Sequence, residues 1–213
     1  MALIEIRQVG DDVRLGLWRM DESPAELLSR YPHLRRFDMP YKSEARQKEF
    51  LCVRALLFEM TGSADIAIGH TESGRPFVEG TTQPPHISIS HTKGYAALIM
   101  SKQNEVGVDI EYRSERILKI AERFVRDDEQ ATTVDELLTL WCAKETLYKL
   151  YSDDDLQFME MRKTVADDSS PVHGQPSCES FPMENMKRGG QVMVHCVNTA
   201  DYALTFAWAA PKD

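Results

Sequence analysis

The run Tyr95-Ala96-Ala97-Leu98-Ile99-Met100 returns in altered form as Tyr202-Ala203-Leu204-Thr205-Phe206-Ala207. Each run follows a polar turn and is preceded by a long helical stretch and a first hairpin strand, so the chain reads as one α+β plan used twice. In the first half, β-rich runs at residues 2–9, 13–19, 66–68, 86–90 and 95–101 read as strands. The last two are joined through His91-Thr92-Lys93-Gly94. Ser23-Pro24-Ala25-Glu26 has the order of a helix start, and Ser43 opens a longer helix to about Met60, with Gly62 as its terminator. The second half offers a strand at 106–112, helices at 115–124 and 134–151, and a closing hairpin of 191–197 and 202–208. Residues 164–190, rich in Ser, Pro, Gly and charge, read as one long loop. The expectation is therefore an α+β fold of two pseudo-symmetric halves, 1–103 and 104–213, with a ligand site between them.

Charge narrows the function. Lys and Arg number 25 against 34 Asp and Glu, a formal charge of −9, which argues against a sequence-independent grip on nucleic acid. Any polyanionic ligand must then meet a local basic cluster. The cysteines Cys52, Cys142, Cys178 and Cys196 form no C-x-x-C pair, and three lie in apolar runs, which suits packing in a reducing cytoplasm. No window approaches the ~20 apolar residues that span a bilayer, so no membrane partner is expected.

In Gly107-Val108-Asp109-Ile110-Glu111, the two-residue period of a strand sets Asp109 and Glu111 on one face and Val108 and Ile110 on the other. Hard oxygen ligands so placed suit Mg²⁺, though for the strand taken alone a half-exposed polar outer face is the stronger reading. On the helix from Leu137 to Leu150, Leu140, Ala143, Leu147 and Leu150 form a core stripe, while Trp141, Lys144, Glu145, Tyr148 and Lys149 fall on the adjacent face. That second stripe is either a phosphate-and-metal face or a solvated surface with a Glu145–Lys149 pair. Arg54 interrupts the apolar stretch 50–60 and needs a partner or an anion. Arg75-Pro76 follows a tight Ser73-Gly74 turn, and His91 ends the strand Ile87-Ser88-Ile89-Ser90.

Taken in order, Arg54-Ala55-Leu56-Leu57, Gly74-Arg75-Pro76, Ile87-Ser88-Ile89-Ser90-His91, Gly107-Val108-Asp109-Ile110-Glu111, Arg123-Phe124 with Glu129, and Trp141-Cys142-Ala143-Lys144-Glu145 through Lys149 resemble the motif series of surfactin-type 4′-phosphopantetheinyl transferases. The resemblance implies a monomeric cytoplasmic enzyme that moves 4′-phosphopantetheine from coenzyme A to a serine of an apo acyl, peptidyl or polyketide carrier protein, releasing 3′,5′-ADP. It implies Mg²⁺ on Asp109, Glu111 and Glu145. Arg54, Arg75, Pro76, Ser90, His91, Trp141, Lys144 and Lys149 match coenzyme A positions, with Arg46 on the same basic rim, and Glu145, Lys144 and Lys149 are the catalytic set. One departure stands out, Leu150-Tyr151-Ser152-Asp153-Asp154-Asp155, where the family pattern carries a Gly-containing turn. The alternatives are a catalytically silent relative that binds coenzyme A or carrier protein, and a Mg²⁺-dependent nucleotide diphosphate hydrolase.

Along residues 113–126, Arg113, Arg116, Lys119, Arg123 and Arg126 recur at spacings of three and four beside Ile117, Ile120 and Phe124. On an α-helix this is a basic stripe fit to dock an acidic carrier protein.

Overall fold

The computed structural model describes residues 2–164 and 178–211, and the chain divides into two compact units, the first ending at Asn104 and the second beginning at Glu105. No helix among the described residues is long and apolar enough to cross a membrane.

The first unit runs β1 (Leu3–Gly10), β2 (Val13–Arg19), α1 (Pro24–Arg30), α2 (Glu44–Thr61), β3 (Ala67–His70), β4 (Pro76–Glu79), β5 (His86–Thr92) and β6 (Tyr95–Ser101). Four strands form an antiparallel sheet in the order β1-β2-β6-β5, and β3 and β4 form a separate hairpin. Helix α1 starts on the expected capping box, in which Ser23 and Glu26 satisfy each other's backbone N–H. The Ser43 hydroxyl accepts the Arg46 N–H at the start of α2, and Gly62 ends that helix at φ 70°, a left-handed conformation in which a side chain is costly. Leu51, Cys52, Ala55, Leu56 and Met60 of α2 pack with Trp18, Leu27, Ala96 and Leu98 in one apolar core. Asp12 closes the unit, its Oδ2 accepting from the Ser101 hydroxyl at 2.8 Å and from the Lys102 and Gln103 N–H groups at 2.6 and 2.8 Å.

The second unit comprises β7 (Glu105–Tyr112), a 3₁₀ helix (Glu115–Arg123), α3 (Val134–Leu150), β8 (Met161–Lys163), β9 (Cys178–Asn185), β10 (Gln191–Asn198) and β11 (Tyr202–Ala209). Its sheet is antiparallel throughout, in the order β7-β11-β10-β9-β8. Thr133 and Glu136 build the capping box of α3. Glu136 Oε2 accepts the Thr132 and Thr133 N–H groups at 2.9 Å each, which holds its carboxyl down to about 2. Leu140, Ala143, Leu147 and Leu150 are buried, as the helical periodicity requires.

The structure corrects four details of the sequence reading. Strand β4 begins at Pro76, a residue that reads as a turn but is tolerated at the first position of a strand. The hairpin of β5 and β6 is tighter than expected, because Thr92 pairs with Tyr95 and only Lys93 and Gly94 lie between. His91 therefore sits within a strand, opposite Ala96. The long loop expected at 164–190 contains strand β9, whose inward Phe181 and Met183 are 8% and 0% exposed among the Ser, Pro and Glu residues that hid the alternation. Residues 165–177 of that loop lie outside the described residues. Finally, residues 115–123 form a 3₁₀ helix rather than an α-helix.

Candidate active site

Strand β7 and helix α3 place the carboxylates. A Cβ at Gly107 would overlap the Thr146 carbonyl oxygen and press within 3.1 Å of Leu150 Cβ, so only glycine lets α3 lie this close to the strand. Thr146 completes the contact by hydrogen bonding Thr205 of β11, Oγ1 to Oγ1 at 2.7 Å. With α3 in place, Asp109 is nearly buried, and its Oδ1 accepts from Lys149 Nζ at 2.7 Å. The same ammonium donates to the Val108 carbonyl at 3.1 Å.

Glu145 lies one turn before Lys149. Its carboxyl is pushed up to about 7, by burial first and then by the negative charges of Asp109 and Glu111, with Lys149 opposing the rise. Three acidic groups therefore share one electrostatic patch. Beneath it Cys142 is fully buried and its thiol raised well above the usual range, by burial and then by Asp109 and Glu111. That makes it a packing residue and not a nucleophile. Among the described residues no three His, Cys, Asp or Glu side chains are grouped closely enough to cage a metal unaided. Mg²⁺ asks for less, taking one or two carboxylates and completing its octahedron with water and phosphate oxygens. Hard, mutually repelling oxygens in a partly desolvated patch are the donor set that a divalent cation relieves.

Lys144 departs most from expectation. The sequence placed it on the phosphate-facing stripe, yet it is 0% exposed. Its ammonium donates to Glu129 Oε2 at 2.7 Å and to the carbonyls of Phe124 at 2.6 Å and Phe158 at 3.2 Å. Those bonds use all three N–H groups, leaving none for a phosphate. Burial lowers its pKa and Glu129 opposes the fall. Trp141 also turns inward, stacked on Phe158 with ring centres 4.8 Å apart and edge-on to Phe124 at 5.1 Å. Sequence reasoning missed the signal for Lys144: it stands four residues after Leu140 and three before Leu147, in the middle of the buried stripe.

Beside Glu145 opens a pocket of about 260 Å³, lined by Glu145 and Tyr148 of α3 and by Asp155, Leu156, Gln157, Phe158 and Met161. Asp155, in the segment that departs from the family's Gly-containing turn, adopts φ 47°, the left-handed conformation glycine favours and aspartate tolerates. Lys187 braces that turn, donating to the Asp154 and Asp155 carbonyls at 2.6 and 3.3 Å.

The candidate phosphate-binding residues of the first unit occupy varied settings. Arg54 packs its guanidinium 3.4 Å from the centre of the Phe50 ring and donates to the carbonyls of Phe50 at 3.2 Å and Ile68 at 3.5 Å. Burial lowers its pKa to about 10, and no carboxylate pairs with it among the described residues. Arg46 and His91 meet through Glu49, whose Oε2 lies 2.9 Å from Arg46 Nη1 and 3.7 Å from His91 Nδ1. Glu49 had no place in the sequence argument. Arg75 is half-buried after Gly74, with its N–H bonded to Thr71 Oγ1, Pro76 opens β4 opposite His70, and Ser90 is buried on β5 opposite Ala97.

Two comparisons with known proteins bear on this site. The family model described as the 4′-phosphopantetheinyl transferase superfamily matches residues 105–207, the greater part of the second unit and just under half of the chain. More particularly, the chain is similar to 4′-phosphopantetheinyl transferase gsp of Aneurinibacillus migulanus, with 31% identity over 109 residues that cover 46% of this chain and 44% of the relative. The chain thus spans less than half the length of that relative.

Proposed function

We propose that this chain is a Mg²⁺-dependent 4′-phosphopantetheinyl transferase that uses coenzyme A as donor and a serine of an apo carrier protein as acceptor. The observation that carries the reading is Glu145, a carboxyl raised by burial and then by the neighbouring Asp109 and Glu111, inside the segment that matches the superfamily model. In the reaction the serine Oγ forms a bond to the β-phosphorus of coenzyme A as the bond to the leaving oxygen breaks. The electron pair departs with 3′,5′-ADP, and the serine proton passes to Glu145 or to a water it holds.

Asp109, Glu111 and Glu145 would supply the one or two carboxylates that hold the metal, with water and phosphate oxygens as its other ligands, and the metal would polarise the phosphoryl oxygens and offset charge on the leaving group. Lys149 holds Asp109 in place through their ion pair and adds fixed positive charge at the site. Arg54, a desolvated cation with no carboxylate partner among the described residues, is suited to a phosphate of the donor. His91, Arg75 and Arg46 extend the basic set. Lys144 takes no direct part.

The reading is tested by measuring 3′,5′-ADP with Mg²⁺ and coenzyme A, with and without apo carrier protein. Release only when carrier is present is the expected result. Release without carrier identifies a hydrolase, and silence in both arms identifies a binding relative.

A further inference from the structure

Lys144 and Glu129 meet at a junction of three segments. The ammonium holds the Phe124 carbonyl, where the 3₁₀ helix ends, and the Phe158 carbonyl, in the pocket wall. Glu129 is equally committed. Its Oε2 accepts from Lys144 at 2.7 Å and from the Arg126 N–H at 3.1 Å, and its Oε1 accepts the Lys163 N–H of β8 at 2.7 Å. The two side chains are 0% and 2% exposed, so the pair bears desolvation at both ends. An apolar pair of similar volume would fill the space without that cost. What it could not do is hold two carbonyls and an N–H at fixed positions. Phe158 links the junction to the chemistry, since it lines the pocket beside Glu145 and its ring stacks on Trp141.

We propose that Lys144 is a positioning residue, which with Glu129 sets the wall of the pocket beside Glu145 by fixing Phe158. The helix thus uses adjacent residues for different tasks, Lys144 buried to build the wall and Glu145 lining the pocket beside it. The kinetic part of this inference rests on the proposed transfer reaction, while the structural part does not.

The decisive variant is the double replacement Lys144→Met with Glu129→Met, which removes both charges and leaves neither orphaned. Hydrogen exchange is followed at residues 155–163 in the full chain, together with KM for coenzyme A and for carrier protein. The expected result is exchange faster by about tenfold over 155–163, with α2 unaffected, and a KM for coenzyme A raised by about tenfold, the low end for losing an outer-shell partner, with carrier KM unchanged. Native protection over 155–163, or an unchanged KM for coenzyme A, overturns the proposal. If the double variant does not fold, Lys144→Arg decides by the same readouts, because its planar fork keeps the charge on Glu129 but does not reproduce three divergent donors. An inactive wild-type protein would refute the transfer reading and leave the exchange result to judge the wall.

Discussion

Lys149 Nζ lies 2.7 Å from Asp109 Oδ1 and 3.1 Å from the Val108 carbonyl, so one ammonium fastens helix α3 to strand β7 through a side chain and the backbone at once. Asp109 has a side chain only 5% exposed, and that ammonium compensates its charge. Lys149→Met should destabilise the protein by about 3 kcal/mol, since the buried carboxylate loses its counter-ion. It should also lower transfer by at least ~10²-fold through the loss of fixed positive charge. Urea unfolding and turnover check both, and a variant unchanged in either would remove Lys149 from the role assigned here.

Glu145 should show the opposite balance, because its carboxyl is raised above the ordinary range to about 7. A group shifted this way favours the folded state while it is protonated, and that contribution is lost as pH rises from about 4.5 through about 7. Glu145→Gln should therefore be more stable than the wild type at pH 8, on the order of 1–2 kcal/mol, with the gap closing toward pH 5. Transfer should be abolished at every pH. Thermal melts across that range without metal decide it, and a variant less stable at pH 8 would contradict the burial of Glu145 beside Asp109 and Glu111.

Gly107 makes the site possible by letting α3 approach. Gly107→Ala should cost about 1–3 kcal/mol, the usual range for overpacking, and should reduce transfer by separating Asp109 from α3. A melt and a turnover assay test this, and near-native values in both would show that the helix shifts without consequence.

The basic segment after β7 changes character with its geometry. In a 3₁₀ helix residues three apart align, so Arg116 and Lys119 share one exposed line, while Ile117, Ile120 and Arg123 share another. Arg113 is engaged by Asp135 and Arg126 by Asp128, which leaves Arg116, Lys119 and Arg123 outside ion pairs among the described residues, beside Leu118 at 48% exposed. Reversing Arg116 and Lys119 to Glu should depress kcat/KM for an acidic carrier protein and flatten its salt dependence, leaving KM for coenzyme A unchanged. Unaltered carrier kinetics would place docking elsewhere.

Residues governed by local periodicity were legible in the sequence. Asp109 and Glu111 followed from the strand repeat, the α3 core stripe from helical spacing, and the capped helix starts from Ser23 and Ser43. The polarity of Lys144 suggests exposure, and the structure buries it. Its position between Leu140 and Leu147 pointed inward, and only the distant partner Glu129 makes a buried ammonium tenable. Strand β9 was hidden because its inward Phe181 and Met183 are interleaved with loop-forming residues, and its pairing with β10 is a tertiary fact. The 3₁₀ winding of 115–123 was likewise beyond reach, since spacings of three and four satisfy either helix.

The proposed transfer makes a covalent product, and intact mass spectrometry of an apo carrier protein tests for it most directly. After incubation with this chain, coenzyme A and Mg²⁺, the carrier should gain the mass of one 4′-phosphopantetheine. A carrier whose acceptor serine is replaced by alanine, or a reaction with Mg²⁺ chelated, should gain nothing. A carrier of unchanged mass while 3′,5′-ADP accumulates, or one modified equally well without its serine, would contradict the account.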